Sequence, residues 1–410
     1  MFFTPKWKKE AKLLHKSALK FLHYKRDLLK PDRIDEIESR RSDLLDAIKA
    51  GNSTKAEEAS KQLRATCEGA LPHFPTQSAW EENVEVIFVA LVIALGLRAY
   101  IIQPFRIPTG SMQPTLNGIN IHQSDDPNFK KPWLGQQGWE LLTRGRSYRN
   151  IVAENDVQVK GIKDASWFLF TRTRVLLDNG KQLSIPAAEG ETQKLLQARV
   201  EQDGNGNAVV DRATGFKKVL NGKKFAKGDP ILRGWVDTGD LVLVDKISYQ
   251  FRRPKRGEVF VFDTRGIKTG GSKQMVDQTG GTHFIKRLCG VPGDELSVKP
   301  PNLWVNGKIA QEFGIQRVIE AKGEYSVLNP NGYELARLDP NYPQPLLRPD
   351  QKFVLADKAR PGMREYAALG DNTGNSLDSR YWGSVKEFNL AGPALFSLWP
   401  ITTGHWGFIR

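Results

Sequence analysis

The chain has 410 residues, enough for two or three domains with a sizeable core. Hydrophobic residues make up 40% and charged residues 26%, an ordinary globular balance. The net charge of +14 is spread out, with no aromatic-basic motif, so it points to a solvated basic surface or one that meets anionic lipid, and away from nucleic acid.

Residues 1–79 read as helical. Leu13, Leu14, Ala18, Phe21 and Leu22 recur at helical spacing, and Pro31-Asp32 opens a second segment with Ile34, Ile37, Leu44, Leu45 and Ile48 on one side. Gly51-Asn52 ends that segment, and "TKAE", Thr54 to Glu57, predicts a capping box for a third helix. The first thirty residues carry nine Lys/Arg against two Asp/Glu. A helical hairpin or short coiled coil accounts for the region, and "LPHFPTQSAW" reads as a linker.

An uncharged apolar run of twelve follows, Val86 to Leu97, within a nineteen-residue stretch from Val84 to Ile102 broken only by Glu85 and Arg98 near its ends. Those long side chains can reach an interface, and Trp80 and Tyr100 suit one, so residues 80–103 are expected to cross a membrane once, a buried or interfacial helix being the alternative. The charges flanking the span leave its orientation open: Glu68, Glu81, Glu82 and Glu85 precede it, and Arg98 and Arg106 follow.

Beyond Pro104 the pattern becomes strand-like. "DLVLVDK", "EVFVF", "FIKRLCGV", "NLWVNGK" and "FVLAD" are short apolar runs separated by Gly, Pro and Asn, and "TRVLLDNGKQLSIP" is a weaker strand candidate. A mainly β domain over 104–410 is expected, with an inserted β-rich lobe at about 117–235. The Gly-rich "KTGGSK" and "QTGGTH" lack phosphate-cradling spacing and read as turns or a mobile loop. Six scattered histidines and two distant cysteines, Cys67 and Cys289, imply neither a metal site nor a disulfide framework, and no cofactor is expected. The two cysteines are expected on opposite sides of the membrane, with Cys289 a small buried apolar residue.

The chemistry centres on "RIPTGSMQPTLNG", Arg106 to Gly118, where Ser111 stands between Gly110 and Met112. It lies outside any G-x-S-x-G elbow, and no histidine is patterned as its base. Lys286 is the candidate. In "THFIKRLCGVPGD" read as a strand, Phe284, Lys286 and Leu288 share one face, while Arg287 falls on the other and can occupy a solvent side. A lysine between two large apolar side chains is desolvated, and burial lowers its pKa. At a pKa of about 8 roughly a tenth is neutral at pH 7, enough to deprotonate a serine.

"PTGSMQPTL" resembles the nucleophile box of bacterial type I signal peptidases. "GDLVLVDKISY" and "RGEVFVF" resemble the strand boxes that follow it, "FIKRLCGVPGDEL" the box of the lysine base, and "GDNTGNSLDSRYWG" the last box, in the family's order and downstream of an apolar anchor. The resemblance implies a signal-peptidase-like β fold and a membrane-anchored serine endopeptidase that removes signal peptides from secretory preproteins. It implies Ser111 as nucleophile, Lys286 as general base, and the Ser111 amide with the Thr109 hydroxyl as oxyanion hole. Ser376 would hydrogen-bond the lysine amine. Asp378 and Arg380 would form a supporting ion pair, Asp371 would support the site, and Met112 would pack near the substrate groove. Membrane lipid and the export machinery are the implied partners, with residues 1–79 cytoplasmic and the catalytic domain on the outer side of the cytoplasmic membrane. Two departures stand out. Thr373 replaces the family's common arginine, which removes a charge partner for Asp371, and about 120 residues separate the nucleophile box from "GDLVLVDK". A self-cleaving repressor-type Ser-Lys protease would share the dyad, but the apolar helix before Ser111 argues against it. A catalytically dead membrane-anchored β protein is the third reading.

Overall fold

The computed structural model describes residues 5–70, 79–167, 170–203, 208–267, 283–339, 342–358 and 360–410. "KTGGSK", all but the last residue of "QTGGTH" and most of "LPHFPTQSAW" lie outside them.

The N-terminal unit contains three helices, α1 (Lys6–Lys25), α2 (Pro31–Ala50) and α3 (Ser53–Gly69). Their apolar stripes close on one another: Ala18, Leu22, Ile37, Leu44, Ile48 and Leu63 form the buried centre. Leu13 departs from the expected face and is 67% exposed. The cap of α3 also differs from the predicted box. Asn52 accepts a hydrogen bond from the Lys55 amide at 3.0 Å, so the helix begins at Ser53 and Thr54 already lies inside it. Helix α4 (Ala79–Tyr100) carries the apolar run; over Trp80–Tyr100 it is long and apolar enough to cross a membrane, and none of that stretch is buried within the protein.

The remainder is β-rich, as expected. Its central element is an antiparallel sheet of β1 (Ile102–Arg106), β2 (Leu241–Asp245), β3 (Val259–Asp263), β4 (His283–Gly290), β5 (Glu365–Leu369), β6 (Val385–Lys386), β7 (Leu390–Trp399) and β8 (Gly407–Phe408). The order is β1-β2-β7-β3-β4-β5-β6, with β8 on β7. Alternation along these strands feeds two apolar clusters. Val242, Val244 and Val261 pack with Ile107, Met112 and Leu116, while Phe260, Phe262 and Leu288 pack with Tyr366 and Trp382.

Two satellites have cores of their own. Between Asn120 and Asp237 lie a three-stranded sheet (Asn120–Gln123, Pro230–Asp237, Arg146–Val152) and a six-stranded one, with Val159, Ile162, Val175, Ile185 and Leu232 buried among them. The second satellite places Glu295–Lys299, Asn302–Val305, Lys308–Ile309 and Phe353–Val354 in a sheet. The strand reading passed over its helix Phe313–Glu320, whose Ile315 and Val318, three residues apart, are both fully buried.

Candidate active site

β1 runs into a single 3-10 turn, Gly110–Met112, that carries Ser111. The turn is tied down from the far end of the chain. The Asn372 amide donates to the Ser111 carbonyl and the Asn372 side chain to the Gly110 carbonyl, both at 3.1 Å. Gly370 permits this approach, because a Cβ there would lie 2.5 Å from the Ser111 carbonyl oxygen and 2.2 Å from Ser376 Oγ.

Lys286 comes from β4, paired across the sheet with Phe260. Its amine donates to Ser111 Oγ at 2.5 Å, although 175 residues separate the two in sequence. The lysine is 4% exposed and the serine 7%. Phe284 and Leu288 belong to one apolar cluster, on the face predicted for the lysine, and the ammonium sits 5.9 Å from the Phe284 ring centre. Burial pushes the amine down from its ordinary 10.5 to about 8; Asp378 and Asp371 pull it up and Arg380 pushes it down, each by less. Thr109 Oγ1 lies 3.4 Å from Ser111 Oγ.

Arg287 departs from its expected solvent position. The face opposite Lys286 is roofed by helix Phe313–Glu320, so closely that a Cβ on Gly314 would sit 2.0 Å from Arg287 Nη1. The buried guanidinium meets Asp371 in a two-pronged pair, Nε–Oδ1 2.8 Å and Nη2–Oδ2 2.6 Å, and donates to the Gly257 carbonyl at 2.7 Å. Thr115 adds a hydroxyl to the Asp371 carboxylate. Asp371 therefore obtains its cation from the lysine's own strand, and the arginine missing at Thr373 is not needed for that charge. Thr373 is buried and donates its hydroxyl to the Gly332 carbonyl at 2.8 Å.

Asp378 and Arg380 form a second internal pair, Nε–Oδ1 and Nη2–Oδ2 both 2.8 Å, with the Gly370 amide also on the carboxylate at 3.0 Å. Burial alone would raise the Asp378 carboxyl; the guanidinium and these hydrogen bonds outweigh it and hold the group below its usual range. One expectation fails. Ser376 Oγ is buried without a hydrogen-bond partner, so the predicted bond to the lysine amine is not made. Met112 is fully buried, packed with Ile107, Val261 and Ile285, which themselves line the cleft. Cys289 is buried and free, its thiol pushed up to about 12 by that burial.

A cleft of about 450 Å³ opens at the Ser111–Lys286 pair, lined by these two, the Phe105–Thr109 segment, His283–Ile285 and Leu377. Residues 190, 191 and 194 of the inserted lobe complete its wall. Sequence reasoning missed Asn372, Arg287 and these lobe residues. The first stood in the "GDN" box; nothing in the sequence marked the last.

A family model described as "Signal peptidase, peptidase S26" matches residues 80–135 and 235–399. The chain is 35% identical over 163 residues to a probable signal peptidase I-2 of Synechocystis sp., covering 40% of this chain and 56% of that protein. It is 30% identical over 166 residues to a signal peptidase I of Leptolyngbya laminosa, covering 40% and 63%. The aligned region thus spans about three fifths of those relatives' own length. A crystal structure of a signal peptidase I from Enterococcus faecalis aligns over 35% of this chain and 97% of that one, at 20% identity and a TM-score of 0.21. The matched segments carry the serine turn, the lysine strand and the Asp371–Arg380 loop, and they cover more than half of the sequence: the chain belongs to the signal peptidase, peptidase S26, family.

Proposed function

We propose that the protein is a membrane-held serine endopeptidase that removes signal peptides from exported preproteins by acyl transfer. The observation that carries this reading is the 2.5 Å contact between the Lys286 amine and the Ser111 hydroxyl, with the amine pushed down to about 8 by burial. At that value about a tenth of the amine is neutral at pH 7, against about one part in 2,500 for a free lysine.

The neutral amine takes the Ser111 proton as Oγ attacks the scissile carbonyl carbon. The carbonyl electrons move to oxygen, and the Ser111 amide and the Thr109 hydroxyl donate to the oxyanion; one such donor is worth about 2.7–4 kcal/mol. Collapse expels the amine, which receives the proton from the Lys286 ammonium, and leaves an ester on Ser111. Water attacks the ester, Lys286 again accepting the proton, and the carboxyl product departs as the hydroxyl is restored. The Arg287–Asp371 and Asp378–Arg380 pairs hold β4 and the Asn372 loop against the serine turn. The substrate binds extended. Among the described residues β1 pairs only with β2, and His283–Lys286 pair only with β3, so two strand edges with unfilled hydrogen bonds border the cleft. Small side chains of the kind that end signal peptides enter beside Ser111.

Helix α4 spans the membrane in this reading. Nine residues lead from Ile102 to Ser111, at most about 30 Å of chain, which keeps the serine near the bilayer where a signal peptide is cut. Residues 1–79 are then cytoplasmic and the cleft lies on the outer side of the cytoplasmic membrane. The test is cleavage of a preprotein by the full chain in detergent, read as the new mature N-terminus by mass spectrometry. Ser111→Ala and Lys286→Met each abolish cleavage; undiminished cleavage by either variant sinks the dyad.

A further inference from the structure

Part of the cleft wall comes from outside the segments that define the family. Gly190, Glu191 and Lys194 border the cleft together with Ser111 and Lys286, and they lie between the two matched segments, on the helix Glu189–Leu195 of the inserted lobe. The lobe holds this helix firmly. Ala187 and Leu196 on either side of it are buried in the lobe core, and the Glu189 carboxylate takes two hydrogen bonds from the Lys217 ammonium, at 2.8 and 2.9 Å.

The charges along the cleft are unbalanced. Glu191 is the one carboxylate among the described residues that line it, against the cations Arg106, Lys194 and Lys286. The Lys194 side chain is 63% exposed and spends one of its three donors on Glu191, Nζ–Oε1 2.9 Å. That contact aims the ammonium while leaving donors for an incoming acceptor. We propose that Lys194, oriented by Glu191, is a specificity-determining residue that favours an acidic side chain in the residues flanking the cleaved bond. The inference rests on the peptidase reading, since it concerns which peptide that cleft prefers. It gives the inserted lobe a role in substrate choice, while the dyad supplies the chemistry.

The test uses preproteins that differ only in carrying Asp, Asn or Lys at each of three positions on either side of the cleaved bond. Their kcat/KM values are compared within each enzyme, so that a variant's folding cancels from the ratio. An exposed pair supports about a threefold preference for Asp over Asn at one position, lost at high salt. Lys194→Gln removes the preference, Lys194→Glu reverses it toward Lys, and Glu191→Gln strengthens the preference for Asp. Identical ratios in all four enzymes, or variants that slow every substrate equally, overturn the inference and leave the peptidase reading intact. A wild-type protein that cleaves none of the substrates removes both.

Discussion

Arg287 and Asp371 meet in a fully buried two-pronged ion pair, and Arg287 is the residue next to Lys286, the proposed general base. The pair therefore fixes the register of β4 at the point where Lys286 leaves the sheet. Removing one partner strands the other charge in the interior, at a cost of about 3–5 kcal/mol. Asp371→Ala should lower the unfolding midpoint sharply and take activity with it. The double variant Arg287→Met/Asp371→Leu should recover most of the stability, which thermal unfolding in detergent would read directly. Equal losses in the single and double variants would mean that packing, not charge, holds this place.

The depressed lysine sets a pH profile. The proposed mechanism needs the neutral amine, so kcat/KM should rise with pH through a limb centred near 8. Stability follows the same group and in the same direction. Unfolded, Lys286 keeps its proton up to about 10.4; folded, it releases it near 8. Between those values the unfolded chain binds more protons, so stability rises with pH, and below about 8 the full cost of the buried ammonium is present. Lys286→Met should therefore be inactive and, at pH 7, more stable by about 1–3 kcal/mol, after allowing for the lost hydrogen bond to Ser111. That gain should fade above about pH 10. A variant less stable than wild type at pH 7 would show that the amine contributes more than it costs.

Thr109 should matter through its hydroxyl alone. Thr109→Val keeps the shape and removes the donor, and kcat should fall by about 10²–10³ with KM little changed. Thr109→Ser should retain activity. A rise in KM with kcat unchanged would place Thr109 in substrate binding instead.

Ser376 has a buried hydroxyl with no partner, a state that costs about 1–3 kcal/mol. Ser376→Ala should leave stability unchanged or raise it. If that variant instead loses stability and its activity limb moves away from pH 8, Ser376 turns toward Lys286 in solution.

What was legible in the sequence is what local pattern encodes. The apolar run of α4, the alternation that places Phe284 and Leu288 together, and the ordered boxes around Ser111, Lys286 and Asp378 can each be read within a few residues. Alternation assigned Arg287 to the other face correctly but could not say that helix Phe313–Glu320 would cover that face. Met112 likewise fits a groove or a core equally well until it is seen packed with Ile107 and Val261, which themselves line the cleft. The partner of Asp371, the isolation of Ser376 and the arrival of Lys194 at the cleft all depend on segments many tens of residues apart. Such contacts follow from how sheets and lobes pack in three dimensions, and packing is a property of the whole chain that no local run of residues contains.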